Sequence, residues 1–388
     1  MIKGNKGDWS ELYVLVKLIA DGKLYQSDIN LNKDLNNIYD VIKAFKNEKD
    51  YVLEFDRNEQ INIIKVVNEE KLLLQSHTLI EFEEIANKIF NGIKSNSGLS
   101  FNISEANSFI DNSLIKKLKA ESNVKSDLKL KIYDHRLAKE TDLGFSIKSL
   151  IGSDSTLFNT GPKNNFIYKI EGDLGMSVSD FNSYTLKPPE RKSKITFRLK
   201  ELLEKECSIS FDKIQSFQLW KNLKMIDGDL PEIIAFALYY RWIYGKSSVK
   251  EVAEILEKED PLNFYNNEVS EQKMYEYKIK KFLAECAMGM TSEKVWLGEY
   301  DSFGGVIIAK NDGEIVCFHI YDFNLFRNYL INNTVFEQAS TGEDENNPGN
   351  PRTKKGTKKY YYGWLYQAEN DLNFKINIQI RFKKNGSC

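Results

Sequence analysis

Two segments, Leu128-Lys-Leu-Lys-Ile-Tyr-Asp134 and Leu143-Gly-Phe-Ser-Ile-Lys-Ser149, decide how this chain is read. The first alternates apolar and polar residues, the mark of a strand with one buried face. The second reads as the strand that returns beside it. Suppose the turn centres on Lys139-Glu140-Thr141. Asp134 then lies opposite Ser146, because paired positions in an antiparallel hairpin sum to a constant. Ser146 and Lys148 share a face, being two apart. Asp134 and Lys148 become diagonal neighbours, about 7–8 Å apart at Cβ or somewhat less. Asp142 is the competing carboxylate. It lies six residues back from Lys148 on the same strand, about 20 Å away, so this register favours Asp134.

A carboxylate and a lysine on paired strands suit phosphodiester hydrolysis. A hard cation such as magnesium takes oxygen ligands and keeps several waters. It polarises the phosphoryl group and makes a bound water nucleophilic. An ammonium beside it stabilises developing charge. One carboxylate is too few for such a site, so a second acid is expected elsewhere.

Outward from the hairpin, residues 9–20 carry Leu12, Leu15, Val16 and Ile19 at helical spacing, stopped by Asp21-Gly22. Asp8 with Glu11 three later resembles a capping box. Residues 51–55 and 61–67 read as strands, 78–93 as a helix, and 104–120 as a polar helix. Gly152–Asn159 reads as a turn entering a short helix, and Asn165–Ile170 as a third strand. Residues 195–300 are mostly helical, with apolar spacing over Phe197–Lys205, Leu230–Tyr244, Val249–Lys258 and Glu271–Glu285. Strands return at Gly305–Ala309, Ile315–Tyr321 and Phe374–Phe382, and 340–359 reads as a mobile loop. The expected division is a core over 1–194, a helical insertion over 195–300, and C-terminal strands over 301–388 that rejoin the core.

Composition narrows the function classes. The 388 residues carry 54 Lys+Arg against 56 Asp+Glu, a net charge of −2, so any polyanion partner needs a localised basic cleft. No window approaches a membrane span. Four scattered cysteines without a C-x-x-C spacing, and no apolar leader, point to a reducing cytoplasm. Three histidines leave little supply for a multi-histidine metal site.

Asp134…Ser146-Ile-Lys148 resembles the PD-(D/E)XK nuclease signature, with serine where a second acid is usual. The wider text is more specific. Gly4-Asn-Lys-Gly-Asp-Trp-Ser-Glu-Leu-Tyr13, Leu143–Ser149, Ser155-Thr-Leu-Phe-Asn159 with Asn165-Phe-Ile-Tyr168, and Asn377-Ile-Gln-Ile-Arg-Phe382 together resemble the HpaII-type restriction endonucleases. That resemblance implies an α/β fold with a mixed sheet flanked by helices. It implies magnesium-dependent, site-specific cleavage of double-stranded DNA at CCGG-type palindromes, and a cytosine methyltransferase as genomic partner. Palindromic targets go with two-fold symmetry, so a homodimer is the default expectation. Asp134 and Glu11 would hold magnesium, and Lys148 would position the attacking water. Glu11 reads equally as the capping partner of Asp8. Ser146 either orients water or is a small residue under a helix. His135 falls on the opposite face by alternation.

Two cation clusters would contact DNA: Lys187, Arg191, Lys192, Lys194 and their neighbours, and Arg352, Lys354, Lys355, Lys358 and Lys359. Either is also readable as a solvated face. Gln379 and Arg381 share a face of the last strand, where arginine suits guanine and glutamine suits adenine; a structural role fits them as well. Two other classes stay open: a DNA-binding protein without cleavage, supported by Ser146, and a helical interaction scaffold drawn from 195–300.

Overall fold

The computed structural model describes residues 1–119, 126–152, 156–161, 163–186, 193–299, 304–338, 343–344, 347–351, 362–368 and 370–383. In chain order the elements are α1 (Lys6–Asp21), β1 (Lys23–Ser27), β2 (Lys33–Asn47), β3 (Val52–Arg57), β4 (Ile61–Val67), β5 (Glu70–His77), α2 (Leu79–Ser95), α3 (Asn107–Asn112), β6 (Leu128–Asp134) and β7 (Lys139–Ser149). There follow β8 (Thr156–Phe158), β9 (Asn165–Glu171), α4 (Val178–Tyr184), α5 (Lys194–Glu204), β10 (Ser208–Ile214), α6 (Phe217–Ile226), α7 (Leu230–Tyr244), α8 (Val249–Glu259) and α9 (Met274–Ala287). The chain closes with β11 (Gly305–Ala309), β12 (Ile315–His319), α10 (Phe323–Asn332), β13 (Thr334–Phe336), β14 (Glu343–Asp344), β15 (Asn347–Pro351), β16 (Leu365–Ala368), β17 (Asp371–Asn377) and β18 (Ile380–Phe382).

Two compact units result, one of Met1–Ser155 with Glu299–Phe326, the other of Thr156–Gly298 with Arg327–Cys388. The division therefore differs from the expected breaks at 194 and 300. The 156–194 stretch falls in the second unit, and of the expected C-terminal strands only β11 and β12 join the first.

The first unit is a mixed α/β structure built on nine strands in the order β1-β12-β11-β7-β6-β2-β3-β4-β5. Because β1 also pairs with β2, six of these strands close on themselves as a barrel, and β3, β4 and β5 extend from it. The sequence reading did not anticipate this closure. The 15-residue β2 makes it possible by pairing with β1, β6 and β3 along successive stretches, with an irregularity between Val41 and Lys43. β1–β12 and β11–β7 run parallel, the rest antiparallel. β11 and β12 are buried at every position, which explains their unbroken apolar runs. Gly305 opens β11 at φ 109°, and a Cβ there would meet the Phe318 carbonyl oxygen at 2.0 Å. Helix α1 buries Trp9, Leu12, Leu15, Val16 and Ile19 in this core, and α2 adds Phe82, Ala86, Ile89 and Ile93.

The second unit holds two antiparallel sheets, β10-β9-β17-β16 and β13-β18-β8, and a β14–β15 pair. Helix α7 is buried along most of its length, from Leu230 to Trp242. Gly152–Asn159 does not lead into a helix; its Thr156–Phe158 is strand β8. Phe374–Phe382 is two strands in different sheets, because the chain breaks at Ile378-Gln379. The 104–120 segment is helical only to Asn112. Among the described residues no helix is long and apolar enough to cross a membrane.

Candidate active site

Helix α1 starts earlier than its apolar spacing implied. Asn5 caps it, accepting from the Asp8 amide while Asp8 Oδ2 accepts from the Asn5 amide, each at 2.9 Å. Asp8 is thus the inner member of the capping box, and Glu11 is released from that role. Ser10 ties the helix to the barrel: its hydroxyl donates to the Lys6 carbonyl (2.7 Å) and lies 2.8 Å from the Ser149 hydroxyl at the end of β7.

The β6–β7 hairpin has a different register from the expected one. Leu128 pairs with Phe145 and Asp134 with Lys139, a shift of seven residues. The turn is His135-Arg136-Leu137-Ala138, closed by the Leu137 amide on the Asp134 carbonyl (3.2 Å). Asp134 is accordingly not beside Lys148. It is 3 % exposed, accepts from the Arg136 amide (2.9 Å) and lies 3.6 Å from the Arg136 guanidinium. Arg136 also reaches Asp322 (3.2 Å) and Tyr39, whose ring stacks on buried His319. This is a packed polar cluster at one end of β6. His135 is exposed and meets Asp40 at 2.8 Å. Asp142 is exposed and pairs with Lys129 at 3.3 Å.

The other end of β6 supplies the carboxylate that the sequence reading missed. Asp127, one residue before the strand, accepts from the Ile147 amide (2.7 Å) and the Ser146 hydroxyl (3.1 Å), both on Oδ2. It therefore occupies the place beside Ser146 that the expected register gave to Asp134. Lys148, two residues on and half-buried, shares the face of Ser146 and is diagonal to Asp127. β11 runs parallel on the other side, with Val306 against Ser146 and Ile308 against Lys148. Asp134 and Asp127 are seven residues apart on an extended chain, about 23 Å.

Glu11, Lys46, Asn47, Leu118 and Asp127 line one cavity of about 20 Å³. That is room for roughly one water-sized particle. The donor set is two carboxylates, and among the described residues no cluster of three or more His, Cys, Asp or Glu stands ready for a metal. Two carboxylates suit a cation that takes one or two protein oxygens, but the cavity as it stands has no room for that cation's water shell.

The expected DNA contacts divide. Lys187, Arg191, Lys192, Arg352, Lys354, Lys355, Lys358 and Lys359 lie outside the described residues. Lys194 opens α5 and is half-buried. Gln379 is buried and lies in the link before β18, while half-buried Arg381 pairs with Val335. They do not form one exposed reading face.

A family model described as HpaII restriction endonuclease matches residues 5–382. The chain is 35% identical over 381 residues to the type II restriction enzyme HpaII of Haemophilus parainfluenzae, covering 98% of each chain. No solved structure matches significantly. The class is thereby defined as a type II restriction enzyme, a site-specific deoxyribonuclease. The chain belongs to the HpaII restriction endonuclease family.

Proposed function

We propose that this enzyme hydrolyses phosphodiester bonds of double-stranded DNA at a CCGG-type palindrome, with magnesium, from a site of the PD-(D/E)XK kind in its first unit. The observation that carries the reading is the bonding of Asp127 to Ser146 and Ile147, which brings a carboxylate beside the strand bearing Lys148. Asp127 replaces Asp134 in the assignment. The CCGG target and the cytosine methyltransferase partner follow from the family resemblance, the homodimer from the two-fold symmetry of such a target, and the cytoplasmic setting from the sparse cysteines.

Asp127 and Glu11 would hold the magnesium ion, which when bound polarises the scissile phosphate and acidifies a water. The Ile147 amide and Ser146 hydroxyl fix Asp127 Oδ2 and so aim the carboxylate. The Lys148 ammonium holds the attacking water and faces the charge that grows on the phosphoryl oxygens. Attack on phosphorus breaks one P–O bond, leaving a phosphate end and a hydroxyl end. Ser146 acts here as the donor that orients the acid rather than as a substitute for one, and this favours cleavage over a purely DNA-binding role.

The test is plasmid DNA incubated with the protein in magnesium and in EDTA. Discrete magnesium-dependent fragments, cut at one sequence, are expected. Binding without cutting supports the non-cleaving reading, and the absence of both cutting and binding supports the scaffold.

A further inference from the structure

The second unit holds a cavity of about 280 Å³. Ser193 and Thr196 line it from the start of α5, Arg241 and Trp242 from the last turn of α7, and Lys246 and Ser247 from the link to α8. Among the described residues no acid lines it. Arg241 is 7 % exposed. Its Nε and Nη2 both donate to a single acceptor, the Phe336 carbonyl, at 3.1 and 2.6 Å. Its guanidinium lies over the Trp242 ring, 3.9 Å from the centroid. Among the described residues no carboxylate stands at ion-pair distance from it, and Nη1 has no hydrogen-bond partner. Burial draws its pKa down to about 10, and the more distant Tyr362 and Glu337 offset only part of that. A neutral carbonyl and an aromatic face return some of the cost of burying a cation, but neither cancels its charge. Lys246 differs, since its ammonium is paired with Glu251 at 2.6 Å.

We propose that this cavity is an anion site of the second unit, in which Arg241 takes a phosphate group of the DNA backbone. The lining suits a phosphate and little else. A planar guanidinium donates to phosphate oxygens from its edge, and stacking on Trp242 holds that edge in place. The Ser193 hydroxyl accepts from the Ile195 amide (3.3 Å), so its own hydrogen stays available to an anion, and exposed Ser247 brings a second hydroxyl. The amide end of α5, where Ser193 and Thr196 lie, adds partial positive charge. The volume admits a phosphodiester group, and a site-specific deoxyribonuclease meets that anion at every nucleotide. A contact of this kind carries no sequence information; it fixes the register of the protein on the duplex. The proposal needs only that the enzyme binds DNA, and it is independent of the metal assignment in the first unit.

The experiment measures binding of the full chain to a duplex of about 20 base pairs in EDTA, by fluorescence anisotropy, between about 50 and 300 mM salt. Arg241→Gln keeps a donor for the Phe336 carbonyl and removes the charge. It should bind at least about tenfold more weakly at the low-salt end, and the slope of log affinity against log salt should shrink by about 0.9, the share of one phosphate. Arg241→Lys keeps the charge and should keep the slope. A purely structural arginine predicts a lower melting temperature with the slope unchanged, and that result in a folded Arg241→Gln overturns the proposal. Ser247→Asp tests the cavity without touching the bonds of Arg241, and it carries the test if Arg241→Gln does not fold. Its carboxylate gives the arginine a counter-ion, so DNA affinity should drop at least about tenfold with no loss of melting temperature; unchanged affinity overturns the proposal. Inorganic phosphate at matched ionic strength separates the two sources of the anion. If it raises the melting temperature of wild type while the DNA slope of Arg241→Gln stays as in wild type, the cavity takes free phosphate, and the assignment to the DNA backbone is overturned.

Discussion

Asp127 Oδ2 accepts the Ile147 amide at 2.7 Å, so the carboxylate is fastened to the backbone of the strand whose next residue is Lys148. The donor is main chain, so its position is set by the strand and not by a second side chain. It also gives Ser146 a purpose in the place where the nuclease signature usually has a second acid. The serine hydroxyl donates to the same oxygen at 3.1 Å, while Glu11 on α1 lines the same cavity.

Lys148→Ala removes the ammonium beside the reacting phosphate. Cleavage should fall at least about a hundredfold, the range seen for one lost electrostatic donor. DNA affinity in EDTA should change by less than about threefold, since one phosphate contact at most is lost. Gel-shift and single-turnover cleavage on one plasmid make the comparison. Normal cleavage by this variant sinks the assignment of Lys148.

Ser146→Ala deletes one of two donors to Asp127 Oδ2. A hydrogen bond to a charged acceptor contributes roughly 1.5–3 kcal/mol, and the Ile147 amide remains, so a loss of about tenfold in rate is expected. Loss of all activity would mean that Ser146 touches the reacting water itself.

His319 makes unit stability sensitive to acid. It is 1 % exposed, its Nδ1 accepts from the Tyr321 amide (3.3 Å), and its Nε2 has no hydrogen-bond partner among the described residues. Burial, with the Arg136 charge adding to it, holds its pKa down to about 4. The folded state thus refuses a proton that the unfolded chain accepts near pH 6.5. The stability is fully present above pH 6.5 and is lost as pH falls from there towards 4, by about 2 kcal/mol at pH 5. Urea unfolding of wild type and His319→Gln at pH 7.5 and 5 should show a smaller acid loss in the variant. An equal loss in both shows that His319 is not the source.

Gly305→Ala should destabilise the first unit by more than about 2 kcal/mol, because the added Cβ meets a backbone oxygen at 2.0 Å where β11 joins β12. Thermal melting reads this directly, and an unchanged melt contradicts the close approach.

Much of the first unit was legible in the sequence. Strict alternation marked β6, unbroken apolar runs marked β11, and 3.6-residue spacing marked α1 and α7. The hairpin register was not legible, and the reason is local. The left-handed residue of its turn is Ala138, at φ 48°, with no glycine or asparagine to mark it. The expected turn therefore falls too late, and the expected register puts Asp134 where Asp127 lies. β2 carries no periodic signal because its burial pattern changes as its partners change. The barrel closure rests on the parallel pairing of Tyr25 with Val316, a contact between residues far apart in sequence that no local pattern encodes. Of the residues that the sequence offers for the site, Ser146 stands beside Asp127 and Glu11 lines the same cavity as Asp127.

The most direct test of the account compares Asp127→Asn with Asp134→Asn in single-turnover cleavage at saturating magnesium. Asp127→Asn should lower the rate by about a thousandfold or more while still binding DNA, because a metal-holding carboxylate is gone. Asp134→Asn should cut within about threefold of wild type and lose only about 1–2 kcal/mol of stability from its contacts with Arg136. Near-normal cleavage by Asp127→Asn, with activity abolished in a folded Asp134→Asn, would contradict the site described.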